Sequence, residues 1–285
     1  MSEARRIADW WSAHPMTYAK THGEAEYADG RVEVGTAAFF EQADRKLLAW
    51  NAPLHGARPF GRLFPYETYA GKPVLEIGCG MGAMACFWAQ AGARVTAVDL
   101  APKSIELTRR RFELLGLDGD IRQADARKLP FVDGSFDYVY SWGVLHHSPD
   151  LEHSIAELMR VLKPGGGFGV MLYHRHSFLY AYTIRFVEGF LHNEDRFLDS
   201  LELASRYTDG AREEGNPHTW PVTKDEARAL FGPFSQDLDF KVFGTDLDGI
   251  FPYVVPGLGR VLPAWMKKPW GRRFGWSLWS HGHKA

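Results

Sequence analysis

Short apolar runs and helix-spaced apolar residues alternate along the chain between residues 71 and 173. The run 74–77 stops at a glycine-rich turn, and residues 83–91 then favour a helix that ends at Gly92. Repeated strand–helix units of this kind predict an α/β fold, in which a parallel sheet is covered by helices on both faces. Further strands are predicted at 94–99, around Ile121, at 136–142 and at 168–173, and further helices at 102–115 and 151–162.

Outside this block the alternation is interrupted, so four parts are expected. Proline and glycine residues between 256 and 271 argue against a long helix, and an ordered loop is predicted to lead into the last strand. The parts are an N-terminal cap (1–70), the α/β core (71–173), a helical insertion or lid (174–235) with helices at 177–192 and 194–206, and a final part (236–285) with strands at 238–243 and 275–281.

The charge of the chain is unevenly distributed. The 285 residues contain 33 basic and 35 acidic side chains, a formal charge of -2, so the whole chain lacks the basic excess of a nucleic-acid-binding protein. Residues 251–285 differ, because they contain no acid, six basic residues and four of the ten tryptophans. The basic residues of this tail are Arg260, Lys267, Lys268, Arg272, Arg273 and Lys284.

Cysteine usage and the N-terminal segment favour a reducing compartment. Cys79 and Cys86 are too few and too closely placed for a disulfide framework. The first residues contain no continuous apolar region before a cleavage site, and no apolar run approaches the roughly 20 residues that span a bilayer. A soluble, cytoplasmic protein without a transmembrane segment is therefore expected.

The glycine-rich turn and two later acids indicate a nucleotide-containing ligand. Gly78, Gly80 and Gly82 form a G-x-G-x-G turn between a strand and a helix, where backbone N–H groups can approach a ligand. Asp99 ends the second strand and could accept hydrogen bonds from both ribose hydroxyls, whereas Asp125 follows the third strand and could accept one from an adenine amine. The alternatives are plain turn glycines, a helix-capping Asp99 and a turn-forming Asp125.

Four segments carry a resemblance to a known family. They are VLEIGCGMG (74–82), VTAVDLAPKSIELTRRR (95–111), QADARKLPFVDGSFDYVYSWGVLHHSPD (123–150) and LMRVLKPGGGFGVMLYHR (158–175). Because of the order and spacing of these segments, the chain resembles the class I S-adenosylmethionine (SAM)-dependent methyltransferases that act on small molecules. The resemblance implies a Rossmann-like, doubly wound, seven-stranded sheet, mostly parallel with one antiparallel edge strand, and a reaction that converts SAM to S-adenosylhomocysteine.

The same resemblance implies roles for individual residues. The glycine turn would line the methionine part of SAM, Asp99 would hold the ribose, Leu100 would pack on adenine, and Asp125 with Ala126 would read the adenine amine. A tyrosine of the cap, Tyr18, is a further candidate for covering the cofactor. The complete set of candidate cofactor-binding residues is Glu76, Gly78, Cys79, Gly80, Gly82, Asp99, Leu100, Asp125, Ala126, Ser141, Trp142 and Tyr18, with Cys79 expected to pack rather than react.

Methyl transfer from a sulfonium depends mainly on alignment, and only some acceptors need a base. His146 and His147 follow the fourth strand, and His174 and His176 follow the fifth, so these four are the candidate bases, with His146 and His174 preferred. The alternative is that the LHH segment is a family feature without a base role. No metal site is predicted, because neither histidine pair has an acid at ligand spacing nearby.

The acceptor pocket is expected to be aromatic. Phe178, Tyr182, Phe186 and Phe190 recur at i+4 and share one helix face, which is either core or pocket wall. Tyr173 is a further candidate contact, and Arg272 with Arg273 could hold an anionic acceptor.

Three functions remain open on the sequence alone. The leading prediction is methylation of a small organic acceptor at oxygen or nitrogen. The second is an RNA methyltransferase that uses the basic, tryptophan-rich tail, although nucleic acid is not the favoured partner. The third is a non-catalytic subunit of the same fold that binds a partner protein through the tail; no particular oligomeric state is predicted.

Overall fold

The computed structural model describes residues 3–14, 32–209, 215–244 and 264–285, with the side chains of 264–268 outside the description. Its centre is a seven-stranded sheet with the order β3-β2-β1-β4-β5-β7-β6. This confirms the predicted Rossmann-like class. The strands are β1 (Pro73–Ile77), β2 (Arg94–Asp99), β3 (Asp120–Gln123), β4 (Phe136–Trp142), β5 (Leu162–Tyr173), β6 (Asp239–Phe243) and β7 (Ser277–His283).

Strand pairing separates a parallel half of the sheet from an antiparallel end. β1 pairs in parallel with β2 and β4, and β2 pairs in parallel with β3. β6 and β7 pair antiparallel, with Lys241 opposite Trp279. The backbone hydrogen bonds from His174 N to Trp276 O (2.7 Å) and from Gly165 N to Lys284 O (2.8 Å) show that β7 also runs opposite to β5. The carboxyl ends of the parallel strands therefore share one edge, where ligands bind in sheets of this type.

The helices agree with the predicted pattern inside the core and differ from it elsewhere. α3 begins directly after Gly82, and α4 begins at Pro102 and is ended by Gly116 in a left-handed conformation (φ 60°). The helices are α1 (Glu3–Ala13), α2 (Ala37–Trp50), α3 (Ala83–Gln90), α4 (Pro102–Leu115), α5 (Leu151–Val161), a π-helix (Leu179–Leu191), α6 (Ser200–Tyr207), α7 (Lys224–Phe231) and α8 (Ala264–Phe274).

The chain divides into two compact units. The first comprises residues 1–141, 152–169 and 283–285, and the second comprises 142–151 and 170–282. In the first unit, the fully buried Trp88 contacts Tyr66 and Tyr138, with ring centroids 4.6 and 5.1 Å apart. Because burying a large aromatic side chain removes much apolar area from water, this cluster is a principal source of stability for the unit.

The second unit departs from the sequence predictions in three places. The helix expected over 177–192 is present as a π-helix (Leu179–Leu191), and its buried face contains Tyr180, Ile184 and Val187. Phe186 and Phe190 of the predicted stripe do share one face, with ring centroids 5.8 Å apart, but that face is exposed. In place of the expected loop, α8 spans Ala264–Phe274 and contains Pro269. Here tertiary packing overrides propensity, since Phe274 and Trp270 of α8 both contact the ring of Phe178. The predicted helix over 194–206 is also divided, into a short 3₁₀ turn (Glu194–Arg196) and α6.

No helix among the described residues is both long and apolar enough to cross a membrane.

Candidate active site

The glycine turn after β1 has a backbone that only glycine adopts readily. Gly78, Gly80 and Gly82 have φ values of 82°, 52° and 76°. A Cβ at Gly82 would lie 2.7 Å from the Thr108 Cγ2 atom, whereas a Cβ at Gly80 would meet no atom within 4 Å. The turn is therefore packed closely on one side and leaves open space at Gly80.

Asp99 is fixed to this turn by backbone donors. Its Oδ2 atom accepts from Gly80 N (2.9 Å) and its Oδ1 atom accepts from Ala101 N (2.8 Å). Burial raises the pKa of Asp99 to about 6, and the two N–H donors act in the opposite direction because they favour the charged form. Asp99 is not the N-cap of α4, since that position belongs to Ala101 and no side chain caps the helix.

Two residues that sequence reasoning missed support the turn from α4. The Thr108 hydroxyl donates to Gly80 O (3.1 Å), and the Arg111 guanidinium donates to Met81 O (3.1 Å). Arg111 is buried, forms an ion pair with Asp44 of α2 and lies over the Phe40 ring. The only sequence signal for them was their i, i+3 spacing on the apolar face of α4.

Asp125 lies in a turn after β3 and is held by its neighbour. Its Oδ1 atom accepts from Arg127 N (2.9 Å), and its Oδ2 atom accepts from Arg127 Nη2 (2.8 Å). Burial by itself would raise the pKa of Asp125, but the hydrogen bonds from Arg127 outweigh it and leave the pKa lowered. Asp125 is therefore a charged acceptor that a ligand amine would share with Arg127. Leu100 and Ala126 are partly exposed.

Other candidate cofactor residues have structural partners. The buried Ser141 hydroxyl donates to Ile77 O (2.8 Å), and the Trp142 ring stacks on Phe243 with centroids 5.9 Å apart. Burial raises the pKa of Glu76 to about 8, so its carboxyl group is largely neutral at pH 7.

Cys79 is likewise buried, with its Sγ atom 3.4 Å from Thr108 Oγ1. Burial raises the pKa of this thiol well above its usual range, which makes it unreactive. Tyr18 lies outside the described residues.

The second unit brings two of the candidate histidines together with residues distant in the chain. His146 and His147 are buried, with ring centroids 4.3 Å apart, and the His146 ring packs 3.7 Å from that of Tyr173. The Tyr173 hydroxyl donates to Asp209 Oδ2, and His147 Nε2 lies 3.3 Å from the same oxygen. We refer to His146, His147, Tyr173 and Asp209 as the histidine cluster.

Hydrogen bonds fix the orientation of the His147 ring, and burial removes the His146 ring from water. His147 Nδ1 lies 2.7 Å from His218 O and 3.1 Å from Thr219 Oγ1. Because a carbonyl oxygen only accepts, Nδ1 of His147 must carry a proton. Burial lowers the pKa of His146 well below its usual range, and the neighbouring His147 adds to this effect. Sequence reasoning missed Asp209 and Thr219, which lie in or beside a loop without a recognisable motif.

The second histidine pair is separate from these contacts. His174 Nδ1 lies 3.2 Å from Gly275 O, and burial lowers the pKa of His174 to about 4, so it is a weak base. His176 is exposed, with its ring centroid 5.8 Å from that of His174.

The predicted acceptor contacts differ in exposure. Tyr173 is buried and stacks on Trp276 at 4.2 Å, whereas the rings of Tyr182 and Phe186 contact each other at 5.7 Å and Phe186 is 44% exposed. Arg272 and Arg273, at the end of α8, are both exposed.

Comparison with known proteins identifies the class of enzyme. Residues 75–170 match the family described as a methyltransferase domain. The ubiquinone biosynthesis O-methyltransferase of Bordetella bronchiseptica is 33% identical over 169 residues, which are 54% of this chain and 68% of that protein. The sterol 4-C-methyltransferase of Caenorhabditis elegans is 40% identical over 96 residues, which are 33% of this chain and 29% of that protein.

A solved structure supports the same fold. A SAM-dependent methyltransferase from Methanosarcina mazei superposes with a TM-score of 0.53 at 20% identity, covering 78% of this chain and 97% of that one. The seven-stranded sheet and the glycine turn after its first strand agree with that architecture. The chain therefore belongs to the class I SAM-dependent methyltransferases, enzymes whose cofactor is SAM.

Proposed function

We propose that this enzyme methylates a small organic acceptor at oxygen or nitrogen, with oxygen the more favoured atom. The observation that carries the proposal is the buried histidine cluster, which places two imidazoles, a carboxylate and a phenol within one small polar region. An acceptor hydroxyl must lose its proton during methyl transfer, and groups of these types assist that loss. A thiol ionises more readily than an alcohol or a phenol, so transfer to sulfur gives less reason to bury such groups.

The glycine turn and Asp99 fit the cofactor. A ligand can approach the backbone at Gly80, where no protein atom occupies the space beside Cα, and the carboxylate of Asp99 is already oriented by two N–H donors. We propose that this turn holds the methionine part of SAM, Asp99 the ribose, and Leu100, Asp125 and Ala126 the adenine. The remaining candidates, Glu76, Gly78, Cys79, Gly82, Ser141 and Trp142, would shape the site through the backbone and packing rather than bind through free side chains.

When bound, SAM supplies an electrophilic methyl carbon: the acceptor atom forms its new bond as the C–S bond breaks, and the electron pair of that bond stays on sulfur as S-adenosylhomocysteine. The task of the chain's own residues is to hold the acceptor, exclude water and assist loss of its proton. Oxygen is preferred because one relative of this chain is named a ubiquinone biosynthesis O-methyltransferase and another is named a 27-O-demethylrifamycin SV methyltransferase.

The test is an acceptor screen with the purified full chain and SAM labelled in its methyl group. The panel contains phenols, alcohols, amines, thiols and total RNA, and the methylated atom is assigned by NMR. We expect transfer to hydroxyl compounds first and to amines second. Transfer confined to carbon or sulfur acceptors would contradict the proposal.

Total RNA in the acceptor panel tests whether the basic tail binds a nucleic-acid substrate. Arg272 and Arg273 are exposed and Trp270 is 50% exposed, a combination that can contact phosphates and bases. Methylation of RNA that is lost in the Arg272→Ala/Arg273→Ala double variant would select the RNA methyltransferase instead. We expect no incorporation into RNA.

A further inference from the structure

We propose that His146, His147 and Asp209 bind one divalent transition-metal ion. Each residue offers a ligand atom, and the three atoms lie within 4.8 Å of one another. All three residues are buried. Two imidazoles and one carboxylate form the donor set of many catalytic zinc and non-haem iron sites. The sequence predicted no metal site here, because Asp209 is remote from the histidine pair in the chain.

The orientation of His147 is that of a metal ligand. Its Nδ1 atom donates to His218 O at 2.7 Å, so Nε2 is the nitrogen that can offer a lone pair to a metal ion. Metal-binding histidines characteristically donate their second ring N–H to a carbonyl or carboxylate in this way. Nε2 lies 3.3 Å from Asp209 Oδ2, so two atoms that can ligate a metal ion lie side by side. A metal ion bound by both atoms would take the place of a proton at this contact.

His146 provides an independent indication. Its side chain is fully buried, and neither ring nitrogen has a hydrogen-bond partner among the described residues. A buried imidazole without partners costs free energy that a structure does not normally tolerate. Coordination would satisfy one of its nitrogens. The ring is held beside the site by the face of Tyr173, 3.7 Å away, and by the backbone bond from Trp220 N to His146 O (2.8 Å).

Asp209 is positioned by a second group. Its Oδ2 atom accepts from the Tyr173 hydroxyl, and this bond orients the carboxylate. Hydrogen-bonded outer partners of this type fix the geometry of metal ligands. Because the set contains two nitrogens and one carboxylate, it favours Zn²⁺, Fe²⁺ or Co²⁺ over Mg²⁺ and Ca²⁺, which prefer oxygen ligands.

The binding of the metal is independent of the proposed function, but its catalytic role depends on it. A bound ion with open positions would coordinate the acceptor hydroxyl and lower its pKa, so that the proton passes to solvent and the oxygen becomes nucleophilic. No change in the oxidation state of the ion is involved. This role would explain how buried histidines serve an acceptor that must lose a proton.

Cobalt provides a direct test, because Co²⁺ bound by nitrogen and oxygen ligands in low coordination gives visible d–d bands. Untagged full-length protein, freed of metal by dialysis against a chelator, is titrated with Co²⁺ and then with Zn²⁺. We expect one Co²⁺ per chain, intense visible bands, and loss of those bands when Zn²⁺ displaces the cobalt. Absence of stoichiometric uptake by the wild-type chain would overturn the proposal and assign a proton to the Nε2–Asp209 contact instead.

Two variants and one control assign the ligands. Asp209→Asn and His146→Gln should each weaken Co²⁺ binding by at least about 100-fold. Loss of a residue that only hydrogen-bonds to a ligand weakens metal binding by at most about this factor, so a loss of this size or larger identifies a direct ligand. His192→Ala removes an exposed histidine whose side chain pairs with Glu188, outside the histidine cluster, and it should bind Co²⁺ like the wild type. Circular dichroism checks the fold of each variant, and if one is unfolded the other decides. Unchanged affinity in a folded ligand variant would contradict the assignment.

Failure of the metal site and failure of the proposed function are distinguishable, because the cobalt titration needs neither SAM nor acceptor. Metal binding without methylation of any hydroxyl or amine would refute the function and retain the site. Methylation that is insensitive to chelation, in protein that takes up no cobalt, would retain the function and refute the site.

Discussion

The glycine turn of the first unit and the histidine cluster of the second unit are built in opposite ways. The turn depends on backbone conformation, because three glycines with positive φ are held by Asp99 and by Thr108 of the next helix but one. The cluster depends on side chains that come from distant segments, with Asp209 meeting His147 and Tyr173. A cofactor shared by a whole family suits the first design, whereas an acceptor particular to one enzyme suits the second.

The comparison predicts that the cluster affects the chemical step most strongly. In Asp209→Asn the carboxylate that faces His147 is lost, so activation of the acceptor hydroxyl should fail. We expect kcat to fall by about 10²–10⁴-fold, the usual contribution of proton-transfer assistance. Steady-state kinetics with the best acceptor of the screen provide the measurement.

SAM affinity, measured by calorimetry, is the control for that variant. It should stay within about twofold of the wild-type value, a smaller change in binding free energy than the loss of one hydrogen bond would cause. A wild-type kcat in Asp209→Asn would remove the cluster from the mechanism.

The turn should be the part that is intolerant of a single added methyl group. Gly82→Ala would force a left-handed conformation on alanine, at about 1–2 kcal/mol, and would press Cβ against Thr108, at a further 1–3 kcal/mol. Urea denaturation should therefore show a loss of about 2–5 kcal/mol in the free energy of unfolding.

Gly116→Ala is the matched control, since Gly116 has a similar φ of 60° but open space around its Cα. It should lose only the conformational part, about 1–2 kcal/mol. Equal losses in the two variants would show that Thr108 does not pack closely against the turn.

Asp99 should determine cofactor affinity with little effect on the chemical step. Asp99→Ala removes the proposed acceptor of the ribose hydroxyls, and charge-assisted hydrogen bonds contribute about 1.5–3 kcal/mol. Isothermal calorimetry should show SAM binding weakened by roughly 10- to 150-fold. Asp118→Ala, which removes an exposed carboxylate between α4 and β3, should bind SAM normally. Normal binding by Asp99→Ala as well would refute the ribose assignment.

The smallest expected effect is the pH dependence of SAM binding through the Asp99 carboxylate. Because burial raises the pKa of Asp99 to about 6, its carboxylate is present above this pH and becomes protonated as the pH falls through it. SAM affinity should be constant at pH 7–8 and should fall by up to about tenfold per pH unit below 6. In Asp99→Asn, which cannot titrate, affinity measured by calorimetry should not change between pH 5 and 7. A parallel decline in that variant would assign the dependence to another group.

The same contrast explains what the sequence could predict. The turn, Asp99 and the first five strands were predictable because their determinants lie within about 100 contiguous residues and follow from strand–turn–helix rules. The histidine cluster was only half predictable. His146 and His147 were singled out by their position after the fourth strand, but the approach of Asp209 depends on how a long insertion folds.

The insertion also shows why helical periodicity misled. The i+4 spacing predicted that Tyr182, Phe186 and Phe190 share one helix face, and their rings do follow one another at 5.7 and 5.8 Å. What the spacing did not show is that Phe186 and Phe190 are exposed and that the buried face of this π-helix carries Tyr180, Ile184 and Val187 instead. In α8, the ring contacts of Trp270 and Phe274 with Phe178 stabilise a helix that contains Pro269. In both cases long-range packing decides, and local spacing does not contain that information.

The division of labour between the turn and the cluster is the central claim, and a double-mutant cycle tests it most directly. SAM dissociation constants and single-turnover rates at saturating SAM are measured for Asp99→Ala, Asp209→Asn and the double variant. We predict that only Asp99→Ala weakens SAM binding, that only Asp209→Asn slows the chemical step, and that the two effects add without coupling. Loss of SAM affinity in Asp209→Asn as large as that in Asp99→Ala would contradict the division.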